Sequence, residues 1–407
     1  MLAINRHKQE FETLYSQILG EESFQIEFPL LEIDKFDWKR GEWADEYYAY
    51  FYRRFSCHIL SRLSLEERQT ILVIGCGFGF DEKNIKSLFP DADLWSVDIS
   101  AEMLRLATAN GSPSRFSLAL AEKLPFPDQS FHRVLSREVI EHVMRPKAML
   151  KEIDRVLRPG GIAVVTTENE ESLGPTNAYD SHLRERLAQV FDFPIAHPEY
   201  RDQAPSLQEM KRMIEETGLI LSEYFWDGAL YKYLIEISPR ARTRMARLAH
   251  YFSSLENHRA LAKFFCDQVK YVLKKEGEAA PLRHPQTVHY ACVYCGGRLS
   301  EGDEHYTCPD CGHEYPLREG IPNFILDSVP NVGEGDLPRQ IRQRNEWDRP
   351  PFGRRLFPRL NSILRGFYSG TYLAMALLAA LFAKKNHHSL SGLLAKDDPY
   401  QRYLKLS

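Results

Sequence analysis

Residues 71–79 read ILVIGCGFG. Four apolar residues run straight into glycines at 75, 77 and 79, which marks a buried strand ending in a turn where the backbone can pass close beneath a ligand. A dinucleotide-binding loop of the G-x-G-x-x-G type would need glycine at position 80, where Phe80 stands, so the G-x-G-x-G spacing favours a ligand without a pyrophosphate. Glycines after a strand also serve tight strand-to-helix packing, and the loop alone leaves both uses open.

On either side the texture supports the strand. Short apolar runs at 93–98, 114–120, 131–136 and 161–167 alternate with amphipathic helical segments, the signature of βα units on a parallel sheet. Asp98 ends the second run and can accept hydrogen bonds from both hydroxyls of a ribose, or it can cap the helix that follows. Two further runs, 219–226 and 230–237, are separated only by Asp227, Gly228 and Ala229 and read as a hairpin. The expected fold is a doubly wound α/β domain with a mostly parallel seven-stranded sheet ending in an antiparallel pair. Residues 239–275 read as helix, and 276–289 as linker.

Together with AEKLPFPDQSFHRVLSREVIEHV (121–143) and LKEIDRVLRPGGIAVVTT (150–167), this core resembles the class I S-adenosylmethionine-dependent methyltransferases of the type 11-like group, which includes ubiquinone and sterol methyltransferases. The resemblance covers about residues 68–237. It implies a Rossmann-like fold that binds S-adenosylmethionine (AdoMet). Gly75, Cys76, Gly77 and Gly79 would hold its methionine end, Asp98 with Ile99 the ribose, and Ala121 with Glu122 the adenine. Three positions depart from the family pattern: Val73, Leu120 and His132 stand where it usually has acids. Methyl transfer from a sulfonium chiefly needs alignment and exclusion of water, and a hydroxyl acceptor also needs a base. Glu138 and His142, with Arg137 and Glu141 beside them, are the candidates for catalysis.

Cys292, Cys295, Cys308 and Cys311 form C-x2-C-x12-C-x2-C. Four thiolates close the coordination of a tetrahedral Zn(II), so the metal is expected to be structural, and a module this small needs it to fold. His305 and His313 are spare ligands. The run EYPLREGIPNFI (314–325) resembles the zinc ribbon of the small Trm112-like proteins, which activate and stabilise methyltransferases; here the resemblance implies a partner carried in cis.

The chain has 407 residues with Lys plus Arg at 52 against 56 acids, a net charge of −4 that offers no global field for nucleic acid. The first 19 residues interrupt their apolar positions with charges and lack a signal-peptide core, so a reducing cytoplasmic setting is expected. Residues 328–365 carry eight arginines against four acids, and the uncharged stretch 366–383, followed by Lys384 and Lys385, suits a peripheral membrane contact, intramolecular packing or a homo-oligomer contact. The expected organisation is a helical, aromatic-rich cap at 1–65, a methyltransferase domain at 66–238, a helical extension and linker at 239–289, a zinc ribbon at 290–326 and a tail at 327–407. The cap, with Trp38, Trp43, Tyr47 and Tyr50, and an insertion at 168–206, with His182, His197, Tyr200 and Arg201, would cover the acceptor. The expected reaction methylates oxygen or nitrogen of a small metabolite or of a glycan- or lipid-linked intermediate; RNA or a translation factor is the alternative acceptor, and a non-catalytic scaffold the third reading.

Overall fold

A computed structural model of the chain describes residues 36–37, 42–43, 58–66, 68–77, 79–143, 145–169, 171–173, 204–230, 252, 255–256, 258–278, 288–325, 371 and 373–381. Strand β1 (Thr70–Ile74) is buried along its whole length. An apolar run without alternation belongs in the middle of a sheet covered on both faces, and β1 lies there. It is paired in parallel with β2 (Asp93–Asp98) on one side and β4 (Phe131–Arg137) on the other. Strand β3 (Arg115–Leu118) extends the sheet beyond β2, and β5 (Leu157–Glu168) beyond β4. With β6 (Leu219–Ala229) and β7 (Cys266–Lys275) the seven-stranded order is β3-β2-β1-β4-β5-β7-β6, and β7 alone runs antiparallel to its neighbours.

The helices α1 (Phe80–Leu88), α2 (Ala101–Ala109) and α3 (Pro146–Val156) are the crossovers of this sheet. In α3, proline in the first turn sets the start, and Met149, Leu150, Ile153 and Val156 make the buried stripe. Ser206 and Glu209 close a reciprocal capping box at the start of α4 (Leu207–Glu215), just before β6. The short α5 (Arg259–Phe265) leads directly into β7.

Strand β6 pairs antiparallel with β7; residues 231–237, expected as the second strand of a hairpin with 219–226, lie outside the described residues. Residues 266–275, expected to continue a helix, form the strand inserted between β5 and β6, so the sheet runs past residue 238 to Lys275. The first eight residues of β7 are buried, so it shows no polar alternation to separate strand from helix. In the N-terminal stretch expected to be helical, Phe36–Asp37 pairs antiparallel with Glu42–Trp43, and residues 58–63 are helical. The rest of the expected cap, and most of the insertion at 168–206, lies outside the described residues.

The cysteine module is a four-stranded antiparallel sheet of β8 (Ser300–Glu301), β9 (His305–Thr307), β10 (Glu314–Arg318) and β11 (Ile321–Pro322). It packs on the edge of the large sheet. Asn323 bridges Leu118 of β3 in parallel, and Phe324 N–H donates to the Leu118 carbonyl at 2.9 Å. Ala291 N–H donates to the Pro125 carbonyl, also at 2.9 Å. Tyr290 fills the seam, with ring centroids 5.2 Å from Trp95, 5.7 Å from Phe126 and 4.9 Å from Phe324. An exposed sheet edge is thereby covered from within the same chain.

Residues 373–381 of the tail are helical, with Ala376 and Ala380 buried and Leu378 and Leu381 exposed. Among the described residues no helix is long and apolar enough to cross a membrane.

Candidate functional site

The three glycines after β1 all have positive φ, at 67° for Gly75, 52° for Gly77 and 78° for Gly79. Their surroundings divide the two uses. A Cβ on Gly75 would lie 2.2 Å from Val139 and one on Gly79 2.4 Å from Ser112, so these two allow close packing. A Cβ on Gly77 would meet nothing within 4 Å, so here the turn faces open space as a ligand platform requires. The Cys76 thiol between them is buried and pushed well up by burial and by Glu82 and Asp98, so it stays neutral.

Asp98 stands one strand over. Its carboxylate accepts the Gly77 N–H at 2.9 Å and the Ser100 N–H at 2.9 Å, which ties the glycine loop to the start of α2. Ser100, not Asp98, is the helix cap, because its side chain accepts from Met103 N–H. Burial raises the Asp98 pKa to about 6 against the pull of the Ser100, Gly77 and Ile99 N–H groups. Ile99 is half-buried behind it. Ala121 and Glu122 follow β3 at the same edge, both buried. Leu124 N–H donates to Glu152 of α3 at 2.7 Å, and Arg155 donates to the carbonyls of Phe126 and Leu124. The segment 118–126 is thus held by α3 on one side and by the cysteine module on the other.

The positions without the family's acids have local explanations. His132 lies toward the opposite end of the strands, where its Nδ1 accepts the Thr70 N–H at 3.1 Å; burial lowers its pKa to about 4, so it is neutral. Val73 pairs in register with Ser96, and Ser96 Oγ donates at 2.6 Å to buried Glu82 of α1, so an acid stands beside position 73 from another element. Leu120 is buried in the turn it forms with Lys123.

Burial pushes the Glu82 pKa to about 8. The folded state then holds a proton that the unfolded chain releases near the usual carboxyl pKa, so stability falls as pH rises from about 4.5 to about 8. Glu82→Gln removes this loss. Urea unfolding should show variant and wild type close together at low pH, with the variant ahead by a few kcal/mol at alkaline pH; parallel curves would contradict the assignment.

Beyond β4, Arg137 pairs with Asp81 of α1. Glu138 N–H donates to the Thr166 carbonyl of β5, and Thr166 Oγ1 donates to the Glu138 carboxylate at 2.7 Å. Glu141 and His142 follow in one turn, closed by His142 N–H on the Val139 carbonyl. The candidates Arg137, Glu138, Glu141 and His142 therefore share the carboxyl edge that carries the glycine loop. Asp81 and Thr166 were missed from sequence because they come from other segments, and so was a buried line across β7 and β6: Lys270 bonds Asp227, and Asp227 bonds His58 Nδ1 at 2.7 Å.

In the cysteine module the four sulfurs lie within 4.8 Å of one another. Two matching turns present them. Gly296 N–H returns to the Cys292 carbonyl and Gly312 N–H to the Cys308 carbonyl, each at 2.8 Å, with φ of 76° and 74° at the two glycines. Sγ separations of 3.6 Å for Cys292 and Cys311 and 3.4 Å for Cys295 and Cys308 are near the ~3.8 Å edge of a tetrahedral thiolate site with Zn–S bonds of about 2.3 Å. His305 instead lies 3.7 Å from Glu314 at the surface. The donor set fits Zn(II).

A glycine platform and a buried acid at the carboxyl edge of a parallel sheet define a nucleoside-binding α/β domain. A family profile described as a methyltransferase domain matches residues 72–165. The chain is 32% identical over 175 residues to a ubiquinone/menaquinone biosynthesis C-methyltransferase of Hahella chejuensis, covering 38% of this chain and 69% of the relative. It is 28% identical over 176 residues to a demethylmenaquinone methyltransferase of Chlorobaculum tepidum, covering 40% and 71%. A solved Haloferax volcanii complex of the Trm112 methyltransferase activator with a methyltransferase matches 57% of this chain and 90% of that one at 20% identity, with a TM-score of 0.39 that supports no comparison of detail. The chain belongs to the class I S-adenosylmethionine-dependent methyltransferases.

Proposed function

We propose that this methyltransferase acts on a hydroxyl or amine of a small or lipid-linked acceptor that partitions into an organic phase, and that its cysteine module holds one structural Zn(II) and braces the cofactor site. The carrying observation is Gly77, open to the cleft, with its N–H on buried Asp98. The turn and the carboxylate give one end for the amino-acid part of AdoMet and the next strand for its ribose. When bound, AdoMet would supply the methyl group: the acceptor oxygen or nitrogen would form the new bond to the methyl carbon as the C–S bond breaks, with the electron pair going to sulfur and the acceptor's proton to solvent.

Relatives named for demethylmenaquinone and for a phytyl hydroquinone support an apolar acceptor. So does the exposed apolar face of the tail helix, with Met375, Leu378 and Leu381 outward and the basic Lys384 and Lys385 close behind in sequence. Zinc placed among four thiolates supplies folding energy and no open coordination position.

The test uses AdoMet labelled on the methyl group, the purified chain and fractionated cell extract. Label is expected in the organic-extractable or small-molecule fraction. Label in RNA would overturn the acceptor class in favour of a translation substrate. No heat with AdoMet or S-adenosylhomocysteine in calorimetry would leave only a scaffold.

A further inference from the structure

We propose that the tail helix at 373–381 is a peripheral docking face for an anionic lipid bilayer. Its sequence, LAMALLAAL, holds no polar residue, and the helix sorts it into two faces by side-chain size. Ala376 and Ala380, one turn apart, are fully buried, with Leu373 and Ala379 partly buried beside them. That small-residue face makes the intramolecular contact. Met375, Leu377, Leu378 and Leu381 lie on the opposite side, with Leu378 69% and Leu381 57% exposed. They are four of the seven large apolar side chains exposed among the described residues, gathered within two turns. A single exposed leucine is ordinary, whereas a contiguous apolar patch marks an interaction site.

The flanking sequence selects the occupant. From Arg349 to Lys396 there are eight Lys and Arg and no Asp or Glu, in a chain whose net charge is −4. Leucines set between Arg354, Arg355, Arg359 and Arg365 on one side and Lys384 and Lys385 on the other match a bilayer with an anionic surface and an apolar interior. A nucleic acid would meet the basic residues and leave the leucines in water. A second copy docked face to face would bury the leucines but bring the two basic segments together, since a two-fold contact sets a patch against its own image. The bilayer surface uses both features.

The contact lies on the membrane. Among the described residues no helix is long and apolar enough to cross one. Held to the protein through Ala376 and Ala380, the tail helix offers one side only, which suits a helix lying in the headgroup region with its leucines turned inward. Docking there would bring the chain to the phase in which an apolar acceptor collects; the binding itself goes beyond the methyltransferase reading and does not depend on it.

The experiment is co-sedimentation of the full-length, zinc-loaded chain with vesicles of phosphatidylcholine alone and of phosphatidylcholine containing one-third phosphatidylglycerol, with no AdoMet or acceptor present. Binding to the mixed vesicles is expected, about tenfold or more tighter than to phosphatidylcholine alone and weakened by added salt. Leu378→Glu with Leu381→Glu should weaken it at least about tenfold and Lys384→Gln with Lys385→Gln severalfold, while Ile220→Glu, which charges an exposed apolar residue of β6, should leave it unchanged. Thermal melts identify a variant that fails to fold, and the lysine pair gives an independent test if the leucine pair does. No binding to the mixed vesicles, binding that ignores phosphatidylglycerol, or equal binding by the folded leucine and lysine variants overturns the proposal. So does a chain that dimerises through the leucines in ultracentrifugation and ignores both vesicles, which would give the face to a second copy. Vesicle binding without methyl transfer to any fraction would leave the docking face standing and count against the acceptor reading alone.

Discussion

Asp98→Ala should weaken AdoMet binding by about 5- to 150-fold, which corresponds to about 1–3 kcal/mol. Two losses combine. The ribose hydroxyls lose a buried acceptor, and the Gly77 and Ser100 N–H groups lose the carboxylate that fixes the loop against α2. Hydrogen bonds to an ionised acceptor are the stronger kind, which places the effect in the upper part of that range. Because burial sets the Asp98 pKa at about 6, the wild-type affinity should hold above that pH and fall below it by up to about tenfold per pH unit, the limit for uptake of one proton. The alanine variant should lose that pH dependence. Calorimetric titrations of both proteins at pH 5 and pH 8 decide it, and an Asp98→Ala protein that binds AdoMet as wild type does would remove Asp98 from the cofactor site.

The local part of this site was legible in the sequence, and the non-local part was not. The turn after β1 announces itself through glycine spacing, and Asp98 through its place at the end of the next apolar run, because both depend on neighbours within one βα unit. Ser100, the observed helix cap, was not singled out in the sequence, where Asp98 was the residue weighed for that position. The contacts that complete the site join distant segments: Arg137 with Asp81, Thr166 with Glu138, Ser96 with Glu82. No spacing rule reaches them. The error at β7 has the same root. Residues 266–275 carry Asp267, Gln268 and Lys270 inside a buried strand, so neither a two-residue alternation nor a continuous apolar run is present. Lys270 is accommodated only because Asp227 on the adjacent strand β6 neutralises it, while burial lowers its pKa.

Cys308→Ser should cost the chain its zinc, make residues 288–325 sensitive to protease and, without unfolding the large sheet, weaken AdoMet binding by about 3- to 30-fold, equivalent to about 0.7–2 kcal/mol. The first two effects follow from the module's size. Its buried set is led by Cys308, Tyr315, Phe324, Cys292 and Val293, too few residues to hold a fold of this length unless metal binding supplies the rest. The third follows from where the module rests. Phe324 N–H on the Leu118 carbonyl and Ala291 N–H on the Pro125 carbonyl fix the two ends of the segment that carries Ala121 and Glu122, and Tyr290 packs the seam between them. Losing that grip leaves α3 to order this segment, where the resemblance places the adenine, through Glu152 and Arg155. Tyr290→Ala separates metal loss from contact loss: it should keep the zinc and still bind AdoMet more weakly, because a ring packed on Trp95, Phe126 and Phe324 is removed while all four thiolates remain. If both variants bound AdoMet as tightly as wild type, the module would be a passenger on the sheet edge and its bracing role would be wrong, whatever metal the four thiolates hold.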